Sequence, residues 1–264
     1  MERRISQRYG PFFEPIHSLE REYQRTRPNN APRSLVLNTG TVVDAAGSGY
    51  VELGKTKVIV AVQGPRPPIR IRGGVENTMN GRITCEVVKS SFCYYSYEST
   101  RMANVGRGVS EEERLLSTRL VRVFEPIVIL DKYPKCSIDL YVVILEDDGS
   151  AFAAMTLATS LALADASIEI ISVVSSVTVA ISTKQEYLVD PDRTESECAV
   201  GLITVSLPLH AAQLCEIQHT GKLSIQVWLS AVQLAVEVAQ TIGNSMCQFL
   251  LQEMEKNETP SLCS

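Results

Sequence analysis

A run of small and apolar residues at positions 151–164, AFAAMTLATSLALA, constrains the fold of this chain more than any other feature. As a helix, this run is apolar on every side, and such a helix must be covered on every side. The run is too short to span a membrane, and the charged residues Asp165 and Glu169 follow it closely. We therefore expect a helix that is buried at the centre of a globular protein.

An acidic turn leads into this run, with Glu146, Asp147 and Asp148 followed by Gly-Ser-Ala. Carboxylates before a helix either cap it and favour its dipole or hold a magnesium ion. We weigh capping above metal binding for this turn. A second acidic stretch, DPDRTESE at 190–197, is interpreted as a solvated turn between two strands.

Composition limits the function classes that remain. The chain has 264 residues, 45% hydrophobic and 21% charged, so it can bury the core of one large domain or two modest ones. A net charge of −5 argues against a protein that coats nucleic acid through overall charge, so any RNA contact must be local. The cysteines form no CxxC pair and the histidines lack metal-ligand spacing, so we expect no metal and no cofactor. We also expect no membrane partner.

The chain divides into three predicted parts. Residues 1–33 mix arginine, proline, asparagine and glutamate without periodicity, which predicts an extended basic arm. A folded domain is expected at 34–256, followed by a loose tail at 257–264. Within the domain, the loop GPRPPIRIRGG is either an RNA contact or solvated surface, and its arginines are Arg66, Arg70 and Arg72.

The pattern of apolar residues predicts the elements of the folded domain. Short apolar runs broken by glycine predict an antiparallel meander at 34–66, and Ser110 with Glu113 predicts a capping box at a helix start. Sheets followed by helices, in two rough halves, indicate an α+β or mixed α/β fold. Further strands are expected near 83–88, 137–145, 173–182 and 199–207, and helices near 110–128 and 224–254.

Three stretches together resemble the RNase PH family: NTGTVVDAAGSGYVELGKTKVIVAVQGPR, EDDGSAFAAMTLATSLALADASIEIISVV and LVDPDRTESECAVGLITVSLP. The resemblance covers most of the chain, and it is greatest for the RNase PH-like ring subunits of the eukaryotic RNA exosome. It implies an RNase PH-like fold, of the ribosomal protein S5 domain 2-like type, in which two β-sheets pack with helices.

The acidic turn differs from that of the phosphorolytic members of the family. In those members the turn reads Asp-Gly-Gly-Thr-Arg-Thr, and its arginine holds the attacking phosphate together with amides of the helix start. Here it reads DGSAFAA, so Asp148 and Ser150 belong to the turn while Phe152 stands at the arginine position. A phenyl ring cannot bind phosphate, so the resemblance implies a degenerate phosphate site.

Two further sets of family residues are altered. The acid pair of active relatives is replaced when the shared Asp-Pro dipeptide is aligned without gaps, although a one-residue slip would let Glu195 or Glu197 stand in for one acid. The arginine pair that begins the next helix in archaeal ring subunits is replaced by glutamates, which would repel an RNA phosphate. The altered positions are Ser196 and Leu202 for the acids, and Glu111 and Glu112 for the arginines.

The resemblance implies a non-catalytic subunit of the exosome core ring that supports 3′-to-5′ RNA processing and degradation. Such a subunit pairs with another RNase PH-like chain in a six-membered ring and contacts an S1/KH cap protein. RNA passes through the central channel, beside the loop of Arg66, Arg70 and Arg72, and the complex is expected in nucleus, nucleolus and cytoplasm. The alternative is an active phosphorolytic or metal-dependent 3′-to-5′ exoribonuclease that uses Asp147, Asp148 and Glu197.

Overall fold

The computed structural model describes residue 25 and residues 27–67, 81–90, 92–93, 110–210 and 213–258. In these residues the chain forms two β-sheets and four α-helices, as the predicted α+β fold requires. The elements in chain order are β1 (Leu35–Thr39), β2 (Gly47–Leu53), β3 (Thr56–Arg66), β4 (Arg82–Lys89), α1 (Glu111–Phe124), β5 (Ser137–Glu146), α2 (Ala151–Asp165), β6 (Val174–Ile181), β7 (Tyr187–Val189), α3 (Arg193–Cys198), β8 (Gly201–Pro208), β9 (Glu216–Gly221) and α4 (Ile225–Glu258).

The first sheet has the strand order β1-β2-β3-β5-β4. β1, β2 and β3 form the predicted antiparallel meander, and β5 continues the sheet antiparallel to β3. β4 pairs in parallel with β5, so α1 is the crossover connection between these two strands. α1 begins with the predicted capping box of Ser110 and Glu113, but it ends at Phe124, short of the predicted end near 128.

The second sheet is antiparallel, with the order β7-β6-β8-β9. β6 and β8 lie where strands are predicted, whereas β7, α3 and β9 are additions to the predicted elements. β7 has only three residues, and β9 reads EIQHTG and is exposed along most of its length. Neither strand shows the alternation of apolar and polar residues by which a half-buried strand is identified.

α2 lies between the two sheets, as expected for the apolar run. It contacts β2 and β3 of the first sheet and β6 of the second, and its residues 152–163 are all buried. The β2 glycines permit a close approach, because a Cβ atom on Gly49 would lie 2.4 Å from the carbonyl oxygen of Ala158. Small residues on both elements therefore bring the helix backbone against the strand.

α4 covers the second sheet from the other side. Every residue of β6 is buried, since both α2 and α4 contact this strand. By length and composition α4 also resembles a membrane span, but a buried seam with helical spacing packs it against β6 and β8. It continues to Glu258, beyond the predicted start of the tail at 257. The seam consists of Ala231, Ala235, Ala239, Ile242 and Met246.

Candidate functional site

The turn before α2 has a left-handed backbone at two successive residues. Gly149 has φ 91° and Ser150 has φ 56°. A Cβ atom at Gly149 would lie 2.6 Å from the carbonyl oxygen of Pro191, so the turn is in contact with the segment that precedes α3. Ser150 also donates a hydrogen bond to that carbonyl oxygen over 3.3 Å. The turn and the start of α3 therefore form one site, although they are distant in sequence.

The acidic residues do not cap α2, so the capping prediction is wrong. No acidic residue lies in the first turn of this helix, and the N-cap residue Ser150 makes no capping hydrogen bond. The Asp147 carboxylate instead accepts from the amide of Gly149 within the turn, over 3.2 Å. Among the described residues, no three histidine, cysteine or acidic side chains are grouped to hold a metal ion.

Arg33 connects the turn to the segment before α3. Its Nε and Nη2 atoms each donate to the Asp190 carboxylate over 2.8 Å, and its own amide donates to the same carboxylate. Its Nη1 and Nη2 atoms also donate over 3.0 Å to the carbonyl oxygens of Asp148 and Gly149. Arg33 is predicted as the last residue of an extended arm, but its side chain is only 7% exposed.

Burial and neighbouring charges act on the pKa values of two groups in this cluster, Arg33 and Asp148. Burial opposes the positive charge of Arg33, but its hydrogen bond to Asp190 and the nearby carboxylates raise the pKa of the guanidinium above its ordinary value. Burial and the neighbouring charge of Asp192 raise the pKa of Asp148, and Arg33 only partly offsets them. The guanidinium is therefore committed to the protein's own carboxylates and carbonyl groups.

The stretch 190–197 is not a solvated turn, so that interpretation is also wrong. Asp190 is 2% exposed and Glu195 is 4% exposed. Glu195 accepts from Arg25 over 3.1 Å and from the amide of Asp192, in the capping box that begins α3. Buried carboxylates require such partners, and the arginines that supply them come from the predicted arm.

Phe152, which the family resemblance assigns to the arginine position of phosphorolytic relatives, is buried. The guanidinium carbon of Arg119, on α1, lies 3.7 Å from the centroid of the Phe152 ring. Arg119 is held there by Glu216 of β9, with distances of 2.8 and 3.3 Å to its two carboxylate oxygens. The position is thus filled by a ring, and the nearest cation is already paired with a carboxylate.

Neither of the two residues that the family resemblance assigns to the acid pair, Ser196 and Leu202, carries a carboxylate. Ser196 lies in α3 and donates to the carbonyl oxygen of Asp192 over 2.9 Å. Leu202 lies in β8, where it pairs with Ala180 of β6. The possible substitute Glu195 is committed to Arg25, as described above, and the other one, Glu197, is exposed and pairs with Arg193 over 3.2 Å.

Arg66 is not a loop residue, contrary to prediction. It ends β3, and its guanidinium donates to Asp139 over 2.5 Å, to Gln63 over 2.9 Å and to Tyr141 over 3.1 Å. Arg70 and Arg72 lie outside the described residues. The glutamates at the altered arginine positions are in the first turn of α1, where Glu112 pairs with Lys89 over 3.1 Å.

Comparison with known families identifies the two halves of this fold. Residues 31–169 match domain 1 of the RNase PH 3′ exoribonuclease family, and residues 172–238 match domain 2. The chain belongs to the RNase PH family. Arg33 lies in the first RNase PH domain and Asp190 in the second, so their contact joins the two domains.

The relatives of this RNase PH chain include exosome components. It is 32% identical to human exosome complex component MTR3 over 245 residues, which cover 88% of each chain. It is 28% identical to fission yeast mtr3, covering 96% of this chain and 97% of that one. It is also 28% identical to the Arabidopsis thaliana exosome component RRP41-like, covering 86% and 83% of the two chains.

Two solved structures share the fold. Rice Rrp46 superposes with a TM-score of 0.74 at 19% identity, covering 86% of this chain and 98% of that one. A chain of the Archaeoglobus fulgidus exosome, solved with RNA bound to the active site, superposes with a TM-score of 0.70 at 21% identity, covering 85% and 93% of the two chains. The predicted fold is confirmed.

Sequence patterns do not identify two residues of the site. No local pattern distinguishes Arg33 from the predicted arm, and its main partner Asp190 is 157 positions away. Arg119 is one of several arginines on an amphipathic helix, and nothing in its neighbourhood indicates the contact with Phe152. The signal that locates the site is the family turn itself, 148–152.

Proposed function

We propose that this chain is a non-catalytic structural subunit of the core ring of a eukaryotic RNA exosome, and that it supports 3′-to-5′ RNA processing and degradation. The observation that carries the proposal is the burial of Phe152 beneath Arg119, because we assign Phe152 to the phosphate-binding position of an RNase PH turn. The likeness to MTR3 exosome components supports the assignment to the ring.

The chemistry of the turn disfavours an attacking phosphate. A phosphate needs amide or guanidinium donors, but the turn directs the carbonyl oxygens of Asp148 and Gly149 towards Arg33. Those carbonyl oxygens, together with the Asp190 carboxylate, already accept the hydrogen bonds of that guanidinium. The negative charge of Glu216 balances Arg119. A bound phosphate would have to compete with these carboxylates for both cations.

The second sheet offers an edge for assembly. Within the described part of the chain, β9 pairs only with β8, and residues 217–221 are exposed. An open strand edge carries unpaired amide and carbonyl groups that can continue a sheet into another chain. We assign this edge to pairing with another RNase PH-like subunit as a heterodimer within a six-membered ring.

In the assembled particle, this subunit contacts an S1/KH cap protein on one face of the ring, and RNA passes through the central channel. Because the Arg66 guanidinium is committed to Asp139, Arg70 and Arg72 are the arginines assigned to RNA. The complex acts in nucleus and cytoplasm, and the nuclear pool includes the nucleolus.

An RNA-shortening assay tests the absence of catalysis. The heterodimer that contains this chain is incubated with a 3′-labelled RNA and orthophosphate, alongside variants Asp148→Asn and, as a matched control at an exposed site, Asp131→Asn. We expect no phosphate-dependent release of nucleoside diphosphate from any of the three. Phosphate-dependent shortening that Asp148→Asn abolishes and Asp131→Asn retains would show an active enzyme.

A further inference from the structure

Arg25 and residues 27–33 form a segment, here called the strap, that lies across the junction of the two RNase PH domains. The Arg25 side chain is 5% exposed, and it donates to Glu195 of α3 over 3.1 Å and to the carbonyl oxygen of Val189 over 2.8 Å. The amide of Val189 in turn donates to the carbonyl oxygen of Asn29 over 2.9 Å. The strap is therefore hydrogen-bonded along β7 and the start of α3.

Arg33, at the C-terminal end of the strap, binds the turn that precedes α2 in the first domain. The guanidinium of Arg33 donates to the Asp190 carboxylate through Nε and Nη2, and to the carbonyl oxygens of Asp148 and Gly149 through Nη1 and Nη2. This planar set of donors is here called the fork. A guanidinium presents five donors in a fixed plane, and an ammonium group cannot reproduce that geometry. Arg33 thus binds segments of both domains at this junction, beside the single hydrogen bond that Ser150 donates to Pro191.

Two residues with left-handed backbone conformation lie at the same junction. Ser150 has φ 56° and Asp190 has φ 53°, and both are non-glycine residues in the left-handed region. Such conformations persist only where surrounding contacts enforce them. Ser150 donates to the carbonyl oxygen of Pro191, and the Asp190 carboxylate is held by Arg33. Contacts across the junction therefore hold both of these left-handed residues in place.

We propose that the strap is an intramolecular clamp, which holds the turn at 147–150 and the start of α3 in one closed arrangement, with Arg33 as the closing residue. Without the Arg33 fork, the buried Asp190 carboxylate has lost its main partner, and burial of an unpaired charge is strongly disfavoured. Residues 187–192 then move towards solvent, which releases the turn as well. The clamp predicts that these two distant segments open together.

Amide hydrogen exchange on the full-length chain, in the complex purified from its cells, tests this coupling. Arg33→Lys keeps the charge and removes the fork, and Arg193→Gln is the matched control because it removes an exposed pair on the same α3. We expect exchange in peptides covering 146–152 and 187–198 to become roughly tenfold faster or more in Arg33→Lys. Both segments should be unchanged in Arg193→Gln.

Several outcomes would overturn the clamp. They are faster exchange in only one of the two segments, faster exchange confined to the strap, or no change in either. Where Arg33→Lys fails to fold, Asp190→Asn is measured instead, because it removes one charge at nearly constant volume. Faster exchange in both segments of that variant supports the clamp, and exchange that is unchanged or faster in one segment alone contradicts it.

Discussion

At the scale of single residues, the contact between Phe152 and Arg119 determines which groups lie beside the turn before α2. Phe152 is 6% exposed, and the Arg119 guanidinium lies over its phenyl ring. The same guanidinium donates a hydrogen bond to the Glu216 carboxylate. A cation stacked on an aromatic face and paired with a carboxylate is stabilised where it is. An arginine at 152 would therefore place a buried cation beside the partly buried guanidinium of Arg119.

Phe152→Arg is expected to destabilise the protein by roughly 3–5 kcal/mol and to gain no affinity for phosphate, because the new charge is buried without a partner. Denaturant unfolding measures the free energy of unfolding, and isothermal calorimetry measures phosphate binding. Phe152→Leu is the control, with an expected cost of about 1–2 kcal/mol. A Phe152→Arg variant of wild-type stability that binds phosphate would contradict this description of the site.

Asp139 gives the stability a defined dependence on pH. Burial opposes ionisation of its carboxyl group, but hydrogen bonds from Ser137, Thr84 and Arg66 outweigh burial and lower its pKa below the ordinary value. The stabilisation is present above the unfolded pKa of about 3.9 and is lost as pH falls through the lower folded value.

The difference in unfolding free energy between wild type and Asp139→Asn should therefore be constant from pH 7 to about pH 5 and should shrink below about pH 4. Urea unfolding at several pH values measures this difference. A difference that disappears above about pH 5 would show that the carboxylate is not stabilised in the folded protein.

At the scale of elements, the contact between β2 and α2 determines how closely the helix approaches the first sheet. Small residues line both sides of this contact, as they must where backbones nearly touch. Gly49 has no room for a side chain, with the Ala158 carbonyl oxygen 2.4 Å and the Ala162 amide nitrogen 2.9 Å from an added Cβ atom. Neither backbone atom can move without displacing α2 itself.

Gly49→Ala is expected to lower the free energy of unfolding by about 3 kcal/mol or more, because it overpacks a buried backbone contact. Thermal and denaturant unfolding measure the loss. Asn38→Ala, at an exposed position of β1, is the matched control and should change stability by no more than about 0.5 kcal/mol. A Gly49→Ala protein as stable as this control would show that α2 is not packed against β2 in this way.

The elements that could be predicted are those whose sequence pattern is local. The β1 to β3 meander, the capping box of α1 and the buried α2 follow from glycine breaks, Ser110 with Glu113, and a continuous apolar run. β9 could not be predicted because its sequence, EIQHTG, is mostly polar and shows no alternation of apolar and polar residues. Arg33 could not be placed because its role depends on Asp190, which the fold brings close from the other domain.

At the scale of the whole molecule, both domains are matched by one family and the strap joins them. The acidic chain is expected to touch RNA only at a local basic site. With the Arg66 guanidinium committed to Asp139, that site is assigned to Arg70 and Arg72.

Replacing both Arg70 and Arg72 by alanine should weaken RNA binding by the assembled complex and reduce the salt slope of log K by about 1.4, since each single-strand phosphate contact contributes about 0.7. Fluorescence anisotropy at several salt concentrations measures the slope. Arg193→Ala, at an exposed ion pair of α3, is the control. An unchanged slope in the double variant would remove the loop from the RNA path.

The most direct test of the central claim is native affinity purification of the tagged chain from its own cells, with mass spectrometry and sizing of the eluate. The account predicts a particle several times the 29.0 kDa mass of the chain, containing other RNase PH-like chains and S1/KH proteins. Elution of the chain alone, or only with copies of itself, would contradict its place as a structural subunit of an exosome ring.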